Sequence, residues 1–325
     1  MPSSIDVFPN VTFVIPVHNE ERHIRKCINA IFSQEYPKDK ILVLIVNDCS
    51  TDKTIEKIPP DPRITIYSLP KKAKSKGEVR NSSLRMVKTE YLAFVDADVI
   101  ISPQWTSTLV SLLERKEGVA AGTIYTPESV WTYATKKLGF KTRLRPMASI
   151  GQISTTNSLV RTKSFKAIGG FDEGLVDCED ADLGLRLQKE GPVFCLSEFA
   201  SIHDDDPGFR TFLSRWYSQG IGASQLFAKY LGTRKPLLYD FLSFYPLVLL
   251  IILLVLSEWI LPLILVNILL GFGYSAFLAW RVFEMGSRAI ILFPVLVILA
   301  LLACLAYFSG RMVGYGLILT GRISH

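Results

Sequence analysis

The chain has 325 residues, with 36 Lys and Arg against 30 Asp and Glu for a net charge of +6, and 49% of its residues are hydrophobic, enough for two average domains. Five cysteines (Cys27, Cys49, Cys178, Cys195 and Cys304), odd in number and widely spaced with no CxxC pair, exclude a disulfide frame or a paired-thiolate zinc site and read as reduced thiols in a cytosolic domain. The opening MPSSIDVFPN is polar, carries two prolines and lacks a charged-then-apolar leader, so the first 239 residues are expected to stay on the side where they are made.

In chain order, the first 120 residues alternate short β-rich runs with helix-compatible ones. VTFVIPV (11–17), KILVLIVND (40–48), RITIYSL (63–69), YLAFVDAD (91–98) and GVAAGTIY (118–125) are the strand candidates. Between them lie helix candidates at 20–34, 50–58, 77–87 and 103–115. In the first, Ile24, Cys27, Ile28 and Ile31 recur at helical spacing, with Glu20 and Glu21 expected in the opening turn where the helix dipole favours them. Apolar strands separated by helices indicate an α/β fold with a mostly parallel sheet covered on both faces. Ligands of such sheets bind beyond the carboxyl ends of the strands. Polar residues gather there: His18, Asn19 and Glu20 after the first strand, Asn47 and Asp48 after the second, Asp96 and Asp98 after the fourth.

Residues 126–239 are less regular. They hold a basic segment (KKLGFKTRLR, 136–145), the strand-like ISTTNSLVR (153–161), a GGFDE turn (169–173) and a helix candidate EDADLGLRLQKEG (179–191). A further helix at 210–231 puts Phe212, Leu213, Trp216 and Tyr217 on one side, which suits either a helix at a membrane surface or one packed on the preceding domain. Beyond position 239 the only charged residues are Asp240, Glu258, Arg281, Glu284, Arg288, Arg311 and Arg322. Runs 241–257, 259–280 and 289–310 carry no charge; the latter two reach the ~20 residues that cross a bilayer, and the first is marginal. The expected organisation is a cytoplasmic catalytic domain (1–208), an interfacial amphipathic linker (209–239) and a membrane domain with two to three transmembrane helices (240–325). Arg281 and Arg288 then return to the inner side, as the positive-inside rule prefers. No nucleic-acid partner is expected. The net positive charge suits either anionic headgroups or an ordinary lysine-bearing surface.

Asp96 and Asp98, two residues apart after a buried strand, repel each other unless a cation intervenes, and a hard divalent ion such as Mg²⁺ or Mn²⁺ takes oxygen ligands of this kind. Haloacid-dehalogenase phosphatases also place DxD after a buried strand, with the first aspartate as nucleophile. Here, however, three strands precede the motif that should open that fold.

The order of motifs is more specific. VIPVHNEE, IVNDCSTDKT, KGEVRN, VDADV, TTNSLVRTKSFKAIGGFDE and CEDADLGLRLQKEG, spread over residues 11–205, resemble the family 2 inverting glycosyltransferases of GT-A fold. The resemblance implies that Pro16, Val17, Asn19 and Glu20 line the nucleoside pocket, that Asp48 meets the base, and that Arg80 approaches the base or the phosphates. It implies further that Asp96 touches the ribose or a metal-bound water, that Asp98 ligates Mg²⁺ or Mn²⁺, and that Glu179 and Asp180 form the family's acidic pair with Asp180 as base. His203 falls where several members place a metal or diphosphate ligand, with Asp204 and Asp205 as rivals. The expected activity is transfer of a sugar from a nucleotide sugar, UDP preferred over GDP, to a hydroxyl of a lipid-linked acceptor at the cytoplasmic membrane face. A polyprenyl-phosphate acceptor and a non-catalytic nucleotide-sugar-binding scaffold are the alternatives. Leu213, Ser214, Arg215 and Trp216 match only the final Arg-Trp of the motif that marks processive synthases, which favours addition of one sugar.

Overall fold

The structure, a computed structural model, describes residues 8–127, 153–203 and 208–230, with scattered positions between 302 and 317. It divides into two compact units, one holding residues up to 133 and 141–207, the other 134–140 and 208–323. In the first unit the order is β1 (Val11–Val17), α1 (Ile24–Phe32), β2 (Ile41–Asn47), β3 (Ile64–Ser68), α2 (Lys76–Asn81), β4 (Tyr91–Val95), β5 (Val99–Ile100), α3 (Trp105–Arg115), β6 (Ala120–Pro127), β7 (Asn157–Arg161), α4 (Thr162–Ala167), α5 (Glu179–Leu187) and β8 (Val193–His203).

These strands form one sheet of eight in the order β3-β2-β1-β4-β7-β6-β8-β5. The first four are mutually parallel. β7 runs antiparallel between β4 and β6, β6 and β8 are parallel, and two-residue β5 closes the far edge antiparallel to β8. The result is a mostly parallel α/β sheet.

Alternation along β1 shows how the sheet is covered. Phe13 and Ile15 join Ile24, Ile28 and Ile31 of α1 and Trp105 and Leu109 of α3 in one core. Val14, between them, joins Phe94, Phe165 of α4 and Leu183 and Leu187 of α5 in a second core on the other face. A strand with period two therefore feeds two cores, and its continuous apolar run is the expected consequence. Edge strand β3 departs from this, since all but its first residue are exposed.

Several expected helices are shorter. α1 begins at Ile24, so Glu20 and Glu21 precede its first turn instead of lying within it. Asn19 takes a left-handed φ of 61°, and the amides of Glu20 and Glu21 donate to Thr54 Oγ1 (2.6 Å) and Asp52 Oδ2 (3.1 Å), which reserves them for the loop contact. The helix expected at 50–58 shrinks to a single 3₁₀ turn, Ile55–Lys57, because Asp52 turns back on the Thr54 amide and Pro59 and Pro60 follow. α2 is capped by Ser75, whose hydroxyl accepts from the Glu78 amide at 3.2 Å. β5, α4 and β8 are additions to the expected elements, and β4 stops at Val95, short of the two aspartates.

The second unit contains α6 (Gly208–Lys229), which buries Phe212, Trp216 and Ile221. Trp216 meets Tyr307 edge to face, with ring centroids 6.3 Å apart. Among the described residues no helix is long and apolar enough to cross a membrane. The expected spans 241–257 and 259–280 lie outside the described residues, as do the basic run 136–145 and all but a few positions of 289–310.

One close approach ties two motifs together. Asn81, closing α2, donates from Nδ2 to the Phe171 carbonyl (2.9 Å) and accepts the Phe171 amide on Oδ1 (2.8 Å). Gly170 makes room for this, at φ 76° and with a Cβ there falling against Asn81 Oδ1. Gly170→Ala is therefore expected to cost about 2 kcal/mol or more of stability, read as a lowered denaturant midpoint at unchanged slope.

Candidate functional site

The four parallel strands deliver polar groups to one rim of the sheet, at their carboxyl ends: Asp96 and Asp98 after β4, His18 to Glu20 after β1, Asp48 after β2, and Lys72 and Ala73 beyond β3. Pro16 is half-buried on β1, whereas the Val17 side chain lies in the core and only its carbonyl is presented, accepting from the Asp48 amide at 2.9 Å. Asn19 Oδ1 accepts the Thr51 amide at 2.8 Å, and its own amide donates to Ser50 Oγ at 3.1 Å, so Asn19 locks the loops after β1 and β2 together. Glu20 pairs with His23 at 2.9 Å. Asp48 Oδ1 accepts the Ala73 amide at 2.7 Å.

Beyond β4 the chain makes a tight turn, with the Asp96 amide on the Thr156 carbonyl and the Val99 amide on the Asp96 carbonyl, each at 3.0 Å. The turn sends the two aspartates to different partners. Asp96 Oδ1 takes Arg80 Nη2 at 2.8 Å, and Asp98 Oδ2 lies 3.0 Å from His203 Nε2. Pairing of β5 with β8 sets Val99 opposite His203, which carries the imidazole to the aspartate across 105 positions of sequence. The repulsion expected between neighbouring carboxylates is thus relieved first by protein groups.

Asp98 and His203, both largely buried, offer one oxygen and one nitrogen donor side by side, a set that fits a borderline ion such as Mn²⁺ or a harder one such as Mg²⁺ that keeps waters or phosphate oxygens. Among the described residues no three His, Cys, Asp or Glu side chains converge on one point, so a cation here would rely on ligands from outside the described residues. Asp204 and Asp205 lie outside them. Beneath the turn, burial, and then the charges of Asp98, Asp96 and Glu20, push the Cys27 thiol well above its ordinary range, which keeps it protonated and inert.

Arg80 joins this turn to the acidic pair. Its Nη1 donates to Glu179 Oε1 at 3.1 Å, and both side chains are about 6% exposed. Burial works against the guanidinium charge, but Asp96 and then Glu179 together outweigh it, so Arg80 holds its proton more tightly than a free arginine. Burial pushes the Glu179 carboxyl above its usual range, opposed by Lys76 and Arg80. Lys76 Nζ also reaches Asp177 Oδ2 at 3.1 Å. α5 opens at Cys178, in left-handed conformation at φ 64°, and carries three acids in its first turn. Glu179 is buried on Arg80, and Asp182 is fully buried on Arg186 at 2.7 Å. Asp180 alone of the three is half-exposed.

Sequence reasoning assigned Arg80 to the nucleotide and did not foresee it as partner of Asp96 and Glu179. The signal was its position in a short helix among Gly77 and Val79, where an arginine is buried only if paired. Arg80→Met leaves the Glu179 charge in the core without its hydrogen-bonded guanidinium, though Lys76 still opposes it, a loss expected to cost about 3–5 kcal/mol. Because protonation of Glu179 removes that charge, and its raised pKa favours the protonated folded state at low pH, the penalty should shrink as pH falls from 8 towards 5. Denaturant midpoints of both proteins across that range measure it; a penalty independent of pH would refute the assignment.

The chain matches the model for "Glycosyl transferase family 2" over residues 12–169 and that for "Glycosyl transferase family group 2" over residues 91–310. It is 30% identical over 229 residues to glycosyltransferase AglE of Haloferax volcanii, covering 67% of this chain and 74% of AglE. It is 24% identical over 262 residues to a beta-monoglucosyldiacylglycerol synthase of Nostoc, covering 73% of this chain and 55% of the synthase. Of the first curated relatives it matches, it spans between 18% and 47% of their length. In fold it resembles the mannosyltransferase PcManGT of Pyrobaculum calidifontis, solved with GDP-Man and Mn²⁺, at a TM-score of 0.62 and 18% identity, covering 96% of this chain and 87% of that one. With one family model spanning well over half of its length, and with a GT-A-like α/β sheet beneath it, the chain belongs to the family 2 glycosyltransferases.

Proposed function

We propose that this glycosyltransferase transfers a sugar, with inversion and in dependence on a divalent cation, from a nucleoside-diphosphate sugar to a hydroxyl of a lipid-linked acceptor at the cytoplasmic face of a membrane. The observation that carries the reading is the bridge of Arg80 between Asp96, two residues before the Asp98–His203 pair, and Glu179, the residue before Asp180 at the start of α5. In this reading Asp48 meets the nucleobase, the 16–20 segment lines the nucleoside, Asp96 serves the ribose, and Asp98 with His203 holds Mg²⁺ or Mn²⁺. Such a cation, when bound, neutralises charge on the departing diphosphate.

The acceptor oxygen attacks the anomeric carbon as its bond to the diphosphate oxygen breaks on the opposite face, and the hydroxyl proton passes to Asp180. Inversion follows from the single displacement. Asp180 is the least buried of the three acids in that turn, which supports its role, since a base must reach substrate. A phosphate acceptor is already ionised and needs no base, so the acidic pair favours a hydroxyl. The lipid-linked acceptor is supported by the uncharged runs beyond position 239 and by the similarity to a synthase named for a glucosylated diacylglycerol. The same runs support the organisation into a cytoplasmic domain at 1–208, a linker at 209–239 and a membrane domain at 240–325.

Asp180→Asn is expected to lower transfer by roughly 10²–10⁴-fold while nucleotide affinity stays within a factor of two or so of the parent. Full activity in that variant removes Asp180 from the mechanism. His203→Ala should raise the Mn²⁺ concentration needed for half-maximal transfer by about tenfold or more, and removal of metal by chelation should abolish transfer reversibly.

A further inference from the structure

The helix that carries Asp180 is short: α5 has nine residues, and Leu183 and Leu187 seat it in the second core. Successive helical residues turn by about 100°, so Asp180 stands about 100° from Glu179 and about 160° from Asp182 around the axis. Two ion pairs therefore settle which way Asp180 faces. Glu179 is held by Arg80, and Asp182, with no exposed side-chain surface, is held by Arg186 one turn later. Arg186 also reaches out of the helix. While its Nε donates to Asp182 Oδ2 at 2.7 Å, its Nη1 donates to the carbonyls of Ile168, at 3.0 Å, and Gly170, at 2.5 Å. Those carbonyls flank Gly169, at φ 75°, in the turn after α4. The next residue, Phe171, is held through both its amide and its carbonyl by Asn81, which adjoins Arg80. The contacts close a ring: α2 grips α5 directly through Arg80, and a second time through Phe171, Gly170 and Arg186. An ion pair between Asp182 and Arg186 within one helix satisfies both charges without fixing the helix. The two carbonyl bonds are what tie that pair to a neighbouring segment.

We propose that Arg186 is a positioning residue for the base, setting the rotation of α5 so that the Asp180 carboxylate stands at the acceptor hydroxyl. This rests on the reading in which Asp180 is the base. The lever is steep. A carboxylate about 5–6 Å from the helix axis moves about 1 Å for a rotation of about 10°. A misplacement of that size lowers a rate by up to about 10²-fold. Asp180 lies close enough to the ring for its charge to act on Arg80. Arginine suits the task because its planar fork meets one carboxylate and two carbonyls at fixed angles, whereas a lysine ammonium offers a single point charge.

Release of nucleoside diphosphate by the full chain with Mn²⁺ tests this, with UDP-glucose, UDP-N-acetylglucosamine and GDP-mannose as donors and water as acceptor. Rates are expressed per nucleotide-binding site, counted by calorimetric titration with UDP and GDP. Arg186→Met should lower kcat about 10- to 100-fold, with the donor KM within a factor of about two of the parent's. Arg186→Lys keeps a charge for Asp182 but cannot serve all three acceptors, and should lower kcat about three- to tenfold at the same KM. It decides the matter alone where the larger change prevents folding. A purely structural role would reduce the number of binding sites and leave kcat per site at the parent's value. That result in either variant overturns the proposal, as does a loss confined to KM. Full activity of Asp180→Asn, or no release by the parent from any of the three donors, instead removes the reading beneath it, and this inference with it.

Discussion

Arg80 is the constraint on which the site depends. Its buried guanidinium is shared between Asp96, just past the end of a parallel strand, and Glu179, at the start of a helix 99 residues after Arg80. Withdrawing the Arg80 and Glu179 charges from water costs several kcal/mol per ion, and the fork geometry of arginine, which meets Glu179 and the partly exposed Asp96 with separate nitrogens, is what offsets it. The arrangement has a steric consequence. With Asp96 and Glu179 both directed at Arg80, Asp98 pairs with His203 and Asp180 lies half-buried, so the two members of each acidic motif face different surroundings.

The sheet supplies the second layer of organisation. Its parallel half ranks the loops in the order β3, β2, β1, β4, which sets Lys72, Asp48, His18 and the aspartate turn in a row. Each loop is fastened to its neighbour by side-chain bonds: Asn19 to Thr51, Asp48 to Ala73, and His18 to both the Asp48 carbonyl and Lys72. Several residues assigned to a nucleoside pocket therefore also build the rim. Asn19 tolerates its left-handed backbone and spends its amide oxygen on the adjoining loop, and Val17 contributes only a carbonyl. The antiparallel half does different work, since the β8 return brings His203 to the aspartate turn by way of the two-residue strand β5.

Much of this was legible in the sequence because it rests on short-range pattern. β1 and β2 read directly as apolar runs, and the spacing of Ile24, Cys27, Ile28 and Ile31 marks the face of α1 that is buried. Ordered motifs sufficed for the family, and Asp48 and Asp98 stand just beyond β2 and β4 and Asp180 in the first turn of α5, at the element ends that their spacing indicates. Other elements were hidden for physical reasons. The helix expected at 50–58 loses to a side chain that caps its own backbone and to two prolines, and Glu20 and Glu21 leave the first turn of α1 because a second loop competes for their amides. β5 is too short to carry a period.

What the sequence determined by itself is the α/β class, the family, and which residue types stand at the strand ends, because these depend on periodicity and on local spacing. Only the tertiary structure decided how those residues are partnered. Arg80 lies 16 positions from Asp96 and 99 from Glu179, His203 lies 105 from Asp98, and Lys72 lies 54 from His18. No local pattern encodes separations of that size. They follow from strand order and register, which bring remote groups together, and at the buried Arg80–Glu179 pair the scarcity of water makes the pairing obligatory.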